Sequence, residues 1–375
     1  MRYRPFGTTG EKISALGFGA MRLPHRRTDT GEELDADQAI AMIHRALELG
    51  VNYLDTAYMY CGGHSERVVG RAIADRRDRV LLATKLPLMR VESRADFRRL
   101  LDEQLGKLAT EHIDFYHFHG LDAKKWQEKV LAFDLLDEMD RARRAGLIRF
   151  ASFSFHDEPA VMRTFIDSGA FASVLCQYNF LDRANAESMA YAHEQGLGVV
   201  VMGPVGGGRL GHPLEYLQEA VGRPTSTPEL ALRFVLANPA VDCALSGMSS
   251  MRHVEENAAV AADAGPLTAA ADAAIATALA ERKRLAELYC TGCAYCMPCP
   301  HEVNIPVCFE CMIDHTVYGF TDRAIERYRA IGDKWLPGKR ADACTGCGVC
   351  EEQCPQHIPI REQLAAVANT FAPLP

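Results

Sequence analysis

Ten of the chain's 13 cysteines lie between Cys290 and Cys354, eight of them in two runs of tight repeat. The later run reads Cys344-x-x-Cys347-x-x-Cys350-x-x-x-Cys354-Pro355, and the earlier one Cys290-x-x-Cys293-x-x-Cys296-x-x-Cys299-Pro300. Thiols this dense are disulfide partners in an oxidising compartment and metal ligands in a reducing one. The chain opens Met-Arg-Tyr-Arg-Pro-Phe with no cationic segment leading into an apolar run, so nothing marks secretion. Apolar stretches such as residues 196–205 are too short and glycine-rich to span a bilayer. The expectation is a soluble, cytoplasmic chain with no membrane partner and with metal-bound thiolates.

The spacing narrows the metal. A [4Fe-4S] cubane needs one cysteine per iron, and three closely spaced thiolates wrap three of its corners. The later run has the spacing of bacterial ferredoxins, in which the fourth cysteine serves the other cluster. By that rule one cluster takes Cys290, Cys293, Cys296 and Cys354, and a second takes Cys344, Cys347, Cys350 and Cys299. Structural zinc sites are the competing reading, because Cys-x-x-Cys pairs also bind Zn²⁺; the triple spacing and the Cys-Pro endings favour iron. Cys308 and Cys311 exceed the ligand count of two cubanes and read as free thiols in a packed segment, with an exchange for Cys299 left open.

The other three cysteines, Cys61, Cys176 and Cys243, are scattered through the preceding sequence, so thiol density marks a domain boundary. At 375 residues the chain exceeds one ordinary core, which suits a large domain plus a small one. Up to about residue 262, short apolar runs alternate with amphipathic stretches, the signature of repeated βα units. Strands are expected near Ala15–Phe18, Val51–Leu54, Val80–Ala83, Ile113–His117, Ile148–Phe153, Ser173–Cys176, Val199–Met202 and Cys243–Leu245. Between them lie helical stripes such as Ala39, Ile43, Ala46 and Leu47, capped at Asp35 or Asp37. Eight such units over roughly 250 residues predict a (β/α)8 TIM barrel. A doubly wound sheet is the second choice, but it would place Gly-x-Gly-x-x-Gly after its first strand, where Gly17-Phe18-Gly19 continues Ala20-Met21-Arg22. The expected order is a barrel over 1–262, an alanine-rich helical linker over 263–286 and a ferredoxin-like iron–sulfur domain over 287–375. A net charge of −8 argues against nucleic acid as partner.

In a (β/α)8 barrel the chemistry sits at the C-terminal ends of the strands. There the sequence places Asp55, Tyr60 just beyond it, Lys85 after strand three, and His117 and His119 in strand four. Each has an ordinary explanation alone: a helix cap, a core edge, a structural histidine. Together they make a proton-transfer set. A phenol of pKa near ~10 needs a neighbouring cation to act as an acid at neutral pH, and Lys85, held by Asp55, supplies that field. His119 then orients or polarises a substrate carbonyl.

The stretches Gly17-Phe18-Gly19-Ala20-Met21-Arg22, Asp55-Thr56-Ala57-Tyr58-Met59-Tyr60 with Gly63-His64-Ser65-Glu66, Ala83-Thr84-Lys85 and Asp114-Phe115-Tyr116-His117-Phe118-His119 resemble the aldo/keto reductase family, in order, over residues 1 to 262. The resemblance implies a catalytic tetrad of Asp55, Tyr60, Lys85 and His119, with Tyr60 donating a proton and NADPH, or NADH, delivering hydride to a small-molecule carbonyl. It favours His119 over His117. It also implies nucleotide contacts from Gly19, Met21, Ser154, Gln177, Gly203, Pro204, Gly247, Ser249, His253, Glu256 and Asn257. In the family pattern Ser154 is followed by an amide, where this chain has Phe155 and then His156; Leu175 stands at the usual glutamine position, with Gln177 as its substitute. Members with a ferredoxin-like tail form a subfamily that the whole chain resembles. A nicotinamide releases two electrons as hydride, whereas a cubane accepts one at a time, so the clusters either stabilise the barrel or serve a redox partner protein. Two other readings stand beside the reductase: an electron-transfer protein whose barrel senses nicotinamide, and a structural or regulatory barrel.

Overall fold

The computed structural model describes residues 1–28, 31–211, 214, 217, 221, 226–263, 265, 267–285, 290, 296–354 and 357–372. It divides into two compact units, one of Met1–Gly211 with Pro228–Thr268 and one of His212–Thr227 with Ala269–Pro375.

In the first unit eight strands close a parallel barrel: β1 (Leu16–Gly19), β2 (Tyr53–Asp55), β3 (Leu81–Leu86), β4 (Ile113–Leu121), β5 (Ile148–Phe155), β6 (Ser173–Gln177), β7 (Gly198–Met202) and β8 (Cys243–Gly247). β8 pairs with β1 to complete the ring. All eight expected strands are present. Several run further toward their C-terminal ends than apolarity suggests, because Lys85, Leu86, His117 and Phe118 still share a parallel ladder. The polar residues at these ends belong to the sheet, which is why they are rigidly aimed.

The barrel interior is filled by Tyr53, Leu81, Ala83, Phe115, Leu175, Val200, Cys243 and Leu245. Its floor is a hairpin, Tyr3–Pro5 with Lys12–Ser14, whose Phe6 stacks edge-on against Phe115 at 4.9 Å. Only glycine fits at 198: a β-carbon there would stand 2.2 Å from the Phe6 ring. Outside the barrel, the helix Ala36–Glu48 buries Ala39, Met42, Ile43, Ala46 and Leu47, and the Asp35 side chain caps it by accepting from Gln38 N at 3.0 Å. The stripe and its cap follow the 3.6-residue period of the sequence.

The alanine-rich stretch forms the helix Ala269–Leu285. Beyond it the second unit packs four helices, Ile305–Thr316, Thr321–Arg329, Val349–Glu352 and Ile360–Phe371, around Val303, Ile305, Phe309, Tyr328, Leu364 and Phe371. Among the described residues no helix is long and apolar enough to cross a membrane.

Candidate active site

Asp55 ends β2, and the chain then turns through Tyr60–Gly63 into the helix Ser65–Ile73. Lys85 points inward from β3 and donates from Nζ to Asp55 Oδ1 at 2.6 Å and to the Thr56 carbonyl at 2.8 Å. Both side chains are almost wholly buried. The same ammonium lies 4.9 Å from the Tyr60 ring centroid, and the Tyr60 and His119 rings meet edge-on at 6.0 Å. The four side chains therefore converge at the C-terminal mouth of the barrel.

Their charges are set by burial and by one another. Burial opposes the Lys85 charge, and the attraction of Asp55 and Tyr60 more than offsets it, so the ammonium is held above its ordinary value. Burial pushes the Asp55 carboxyl up, with Lys85 pulling it back, and Oδ2 finds no hydrogen-bond partner among the described residues. The Tyr60 phenol is also pushed up by burial, and Lys85 only partly draws it down. This corrects the expectation that the lysine makes Tyr60 a stronger acid than a free phenol: desolvation of the phenolate outweighs the cation. Burial and then the nearby Lys85 depress His119 to about 3, so it is a neutral imidazole at physiological pH.

His117 lies deeper on the same inner face, fully buried, with Nε2 at 3.4 Å from the Tyr53 hydroxyl. It is packed among core residues below the mouth. Near His119 stand His156 and Lys125, whose charges act on it. Lys125 is already engaged, donating to the Gly120 carbonyl and to Asp122 Oδ2, each at 2.6 Å. Ser154 accepts from Gly120 N at 2.7 Å and so steadies the end of β4.

Around the other half of the rim lie the residues expected to hold nucleotide. Gly19 pairs with Gly247 where β1 meets β8, and Met21 is exposed just beyond. The Gln177 side chain lies against the α-carbon of Gly203, which has φ +63°; a β-carbon at 203 would stand 2.4 Å from Gln177 Oε1. Pro204 is buried behind this turn, and Ser249 is exposed ahead of the helix Met251–Asp263. Ser250 Oγ accepts from His253 N at 3.3 Å, and Asn257 donates to Ser246 Oγ at 3.1 Å. Glu256 is exposed and paired with Arg252 at 3.4 Å. Sequence reasoning did not assign Arg22 a role. Its methylenes run 3.5 Å from where a Gly247 side chain would begin, and Nη2 stands 3.7 Å from the corresponding point on Gly207. The Arg22 side chain thus runs from the loop after β8 to the loop after β7, where its guanidinium lies. Bare backbone, a cation and a helix N-terminus form a cradle whose chemistry suits a dinucleotide's phosphates.

In the second unit Cys290, Cys296, Cys299, Cys344 and Cys354 line the core, Cys350 is buried and Cys347 is exposed. Burial pushes the Cys350 thiol up, with smaller contributions from Glu351, Cys299 and Cys344. Cys293 lies outside the described residues. Among those described, no three His, Cys, Asp or Glu side chains gather as tightly as a single metal ion requires. Cys308 and Cys311 are fully buried in the helix Ile305–Thr316, and burial pushes each up to about 12.

Residues 15–279 match the family model described as the aldo/keto reductase family, and residues 289–359 match a 4Fe-4S dicluster domain. The chain belongs to the aldo/keto reductase family. It is 30% identical to an uncharacterized oxidoreductase, YqkF, of Bacillus subtilis over 68% of this chain and 90% of that protein. It is 28% identical to an L-galactose dehydrogenase of Arabidopsis thaliana, over 68% of this chain and 86% of that one. Among solved structures, the holo form of aldo-keto reductase AKR11C1 from Bacillus halodurans superposes with a TM-score of 0.64 and 31% identity, covering 74% of this chain and 96% of its own. As an aldo/keto reductase the chain is an oxidoreductase enzyme, and its tail adds a 4Fe-4S domain.

Proposed function

We propose that the protein reduces an aldehyde or ketone to the alcohol, with hydride from NADPH and the proton from Tyr60. The observation that carries this reading is the convergence of Tyr60, Lys85, Asp55 and His119 at one barrel mouth. Neutral His119 donates a hydrogen bond to the carbonyl oxygen and holds it beside the Tyr60 hydroxyl. Tyr60 releases its proton to that oxygen as negative charge develops there, and Lys85 stabilises the resulting phenolate. Asp55 keeps the lysine in place and charged. The nucleotide cradle of Arg22, Gly203, Gly207 and Gly247 favours NADPH, whose extra phosphate adds charge for the cationic rim; NADH is the weaker cofactor.

In the second unit we propose two [4Fe-4S] clusters, on Cys290, Cys293, Cys296 and Cys354 and on Cys344, Cys347, Cys350 and Cys299. The two cysteine runs and the match of residues 289–359 to a 4Fe-4S dicluster domain support these sets. A reducing cytoplasm would keep these thiols free for cluster binding, and the clusters serve stability or a one-electron partner protein. The direct test is anaerobic NADPH oxidation against a panel of aldehydes and ketones. Turnover with at least one carbonyl is expected; none across a broad panel, in protein that binds NADPH, would remove the reductase reading.

A further inference from the structure

We infer that Glu66 and Gln104 form a buried brace that positions Tyr60 against Lys85; this rests on the proposed role of Tyr60 as proton donor. β2 and β3 pair only through Tyr53↔Leu81, Leu54↔Leu82 and Asp55↔Ala83. Thr56 N takes the Ala83 carbonyl at 2.9 Å, and the chain of β2 then leaves for the Tyr60 turn. Carbonyls two residues apart on a strand face the same neighbour, so the Lys85 carbonyl faces a gap where the ladder has ended. A buried carbonyl without a donor is costly, and Gln104, from the helix Ala95–Leu108, supplies one.

The amide of Gln104 is fully used. Nε2 donates to the Lys85 carbonyl at 3.1 Å and to Glu66 Oε1 at 2.6 Å, with Thr84 Oγ1 at 3.2 Å. Its Oε1 accepts from the Tyr116 hydroxyl at 2.7 Å. Glu66 Oε1 also accepts from Thr84 Oγ1 at 2.8 Å. Glu66, Thr84, Gln104 and Tyr116 are all 0% exposed.

Glu66 follows Tyr60 by only six residues, on the helix that the Tyr60 turn enters. On the other side of that turn, Ser65 Oγ lies 2.8 Å from both the Ala20 carbonyl and Thr56 Oγ1. A closed circuit results: Tyr60, its turn, Glu66, then Thr84 and Gln104, then Lys85, and back to the Tyr60 ring. Replacing a whole buried hydrogen-bonded set by apolar groups of the same shape is often nearly neutral in stability. What an apolar set would not supply is a directional link between the phenol's segment and the lysine's strand. Glu66 and Gln104 touch neither substrate nor nucleotide in this reading; they act through Tyr60 and Lys85.

The test compares Gln104→Leu, Glu66→Leu and Glu66→Gln with the parent and with Tyr60→Phe. The readouts are kcat, NADPH Kd and the pH dependence of alcohol oxidation. Loss of the brace displaces Lys85 from Tyr60, and misplacement of about 1 Å at a reacting centre costs on the order of 10²-fold in rate. Gln104→Leu and Glu66→Leu should lower kcat by about 10- to 100-fold on that basis, with NADPH Kd unchanged. Since Lys85 draws the phenol down, both should move the apparent pKa of oxidation upward. Glu66→Gln keeps the accepting oxygen and should stay near the parent. A folded Gln104→Leu with parental kcat and pH profile overturns the brace, as does a loss of thermal stability with kcat and profile unmoved. If Gln104→Leu does not fold, Thr84→Val removes the hydroxyl's bonds to Glu66 and Gln104, and Tyr116→Phe removes the one bond to Gln104 Oε1; parental kcat and profile in both overturn it equally. Tyr60→Phe at the parental rate withdraws the reductase reading and the brace together, whereas inactive Tyr60→Phe beside parental Gln104→Leu overturns the brace alone.

Discussion

At the residue scale the proposed reaction turns on one proton and one buried ion pair. A positioned general acid is worth ~10²- to 10⁴-fold, so Tyr60→Phe should lose that much carbonyl reduction while NADPH still binds, as titration of nucleotide fluorescence would show. Lys85→Met should lose a similar factor, but it also strands the buried Asp55 carboxylate, and breaking a buried pair costs about 3–5 kcal/mol. Adding Asp55→Asn should restore thermal stability without restoring turnover, which separates the lysine's chemical part from its structural one. The pH dependence follows from the directions of the shifts. His119, depressed to about 3, stays neutral down to acid pH, and Tyr60, raised above an ordinary value of about 10, stays protonated well past neutrality. Reduction should therefore be flat from about pH 5 to about pH 9 by this reckoning. Alcohol oxidation, which needs the phenolate as base, should climb with alkaline pH. Reduction that falls away through a single inflection near pH ~6.5, the ordinary histidine value, would make His119 a titrating acid and contradict the neutral assignment.

At the element scale, what the sequence made legible was whatever is local. Strand and helix periods are short-range, so the barrel, the Ala39–Leu47 stripe and the tetrad at the strand ends could be read without coordinates. The choice between His117 and His119 needed depth along β4, because both face inward and only their neighbours differ: Tyr53 below, Tyr60 above. Gln104 falls on the apolar stripe of Phe97, Leu100, Leu101, Leu105 and Leu108, which marks it as inward-facing, but its partners at Lys85 and Glu66 exist only once that helix is laid on β3. Arg22 was hidden for the same reason, as its reach to Gly207 and Gly247 exists only once β8 closes on β1. A charge-assisted contact is worth about 1.5–3 kcal/mol, so Arg22→Ala should weaken NADPH by roughly 10- to 100-fold. Calorimetry or fluorescence would measure it, and kcat at saturating NADPH should hold. An unchanged Kd would move the phosphates away from the β7 and β8 loops.

At the scale of the whole molecule, one chain joins an aldo/keto reductase barrel to a 4Fe-4S domain, and in the proposed reading the first handles hydride while a cluster in the second takes one electron at a time. Nothing about a cubane helps a Tyr60-type proton transfer, so the two units should be separable by mutation. That makes metal content the cleanest test of the second unit. Two cubanes require about eight irons per anaerobically purified chain, with broad absorbance near ~400 nm, where zinc-bound protein would be colourless. Cys347→Ser removes an exposed thiol of the proposed set with Cys344, Cys350 and Cys299, and should lower iron by about half, one cubane of two. Cys308→Ser should leave iron unchanged, because the two proposed sets already supply eight cysteines and the Cys308 side chain is packed in the core of the second unit. Its cost should instead appear as reduced thermal stability from a buried hydroxyl. Iron lost from Cys308→Ser and kept in Cys347→Ser would place Cys308 in the cluster ligand set and exclude Cys347. If neither variant changed carbonyl reduction per barrel, the clusters would be confined to stability or to a partner's electrons. If Cys347→Ser alone lowered it, the two units would be coupled in turnover.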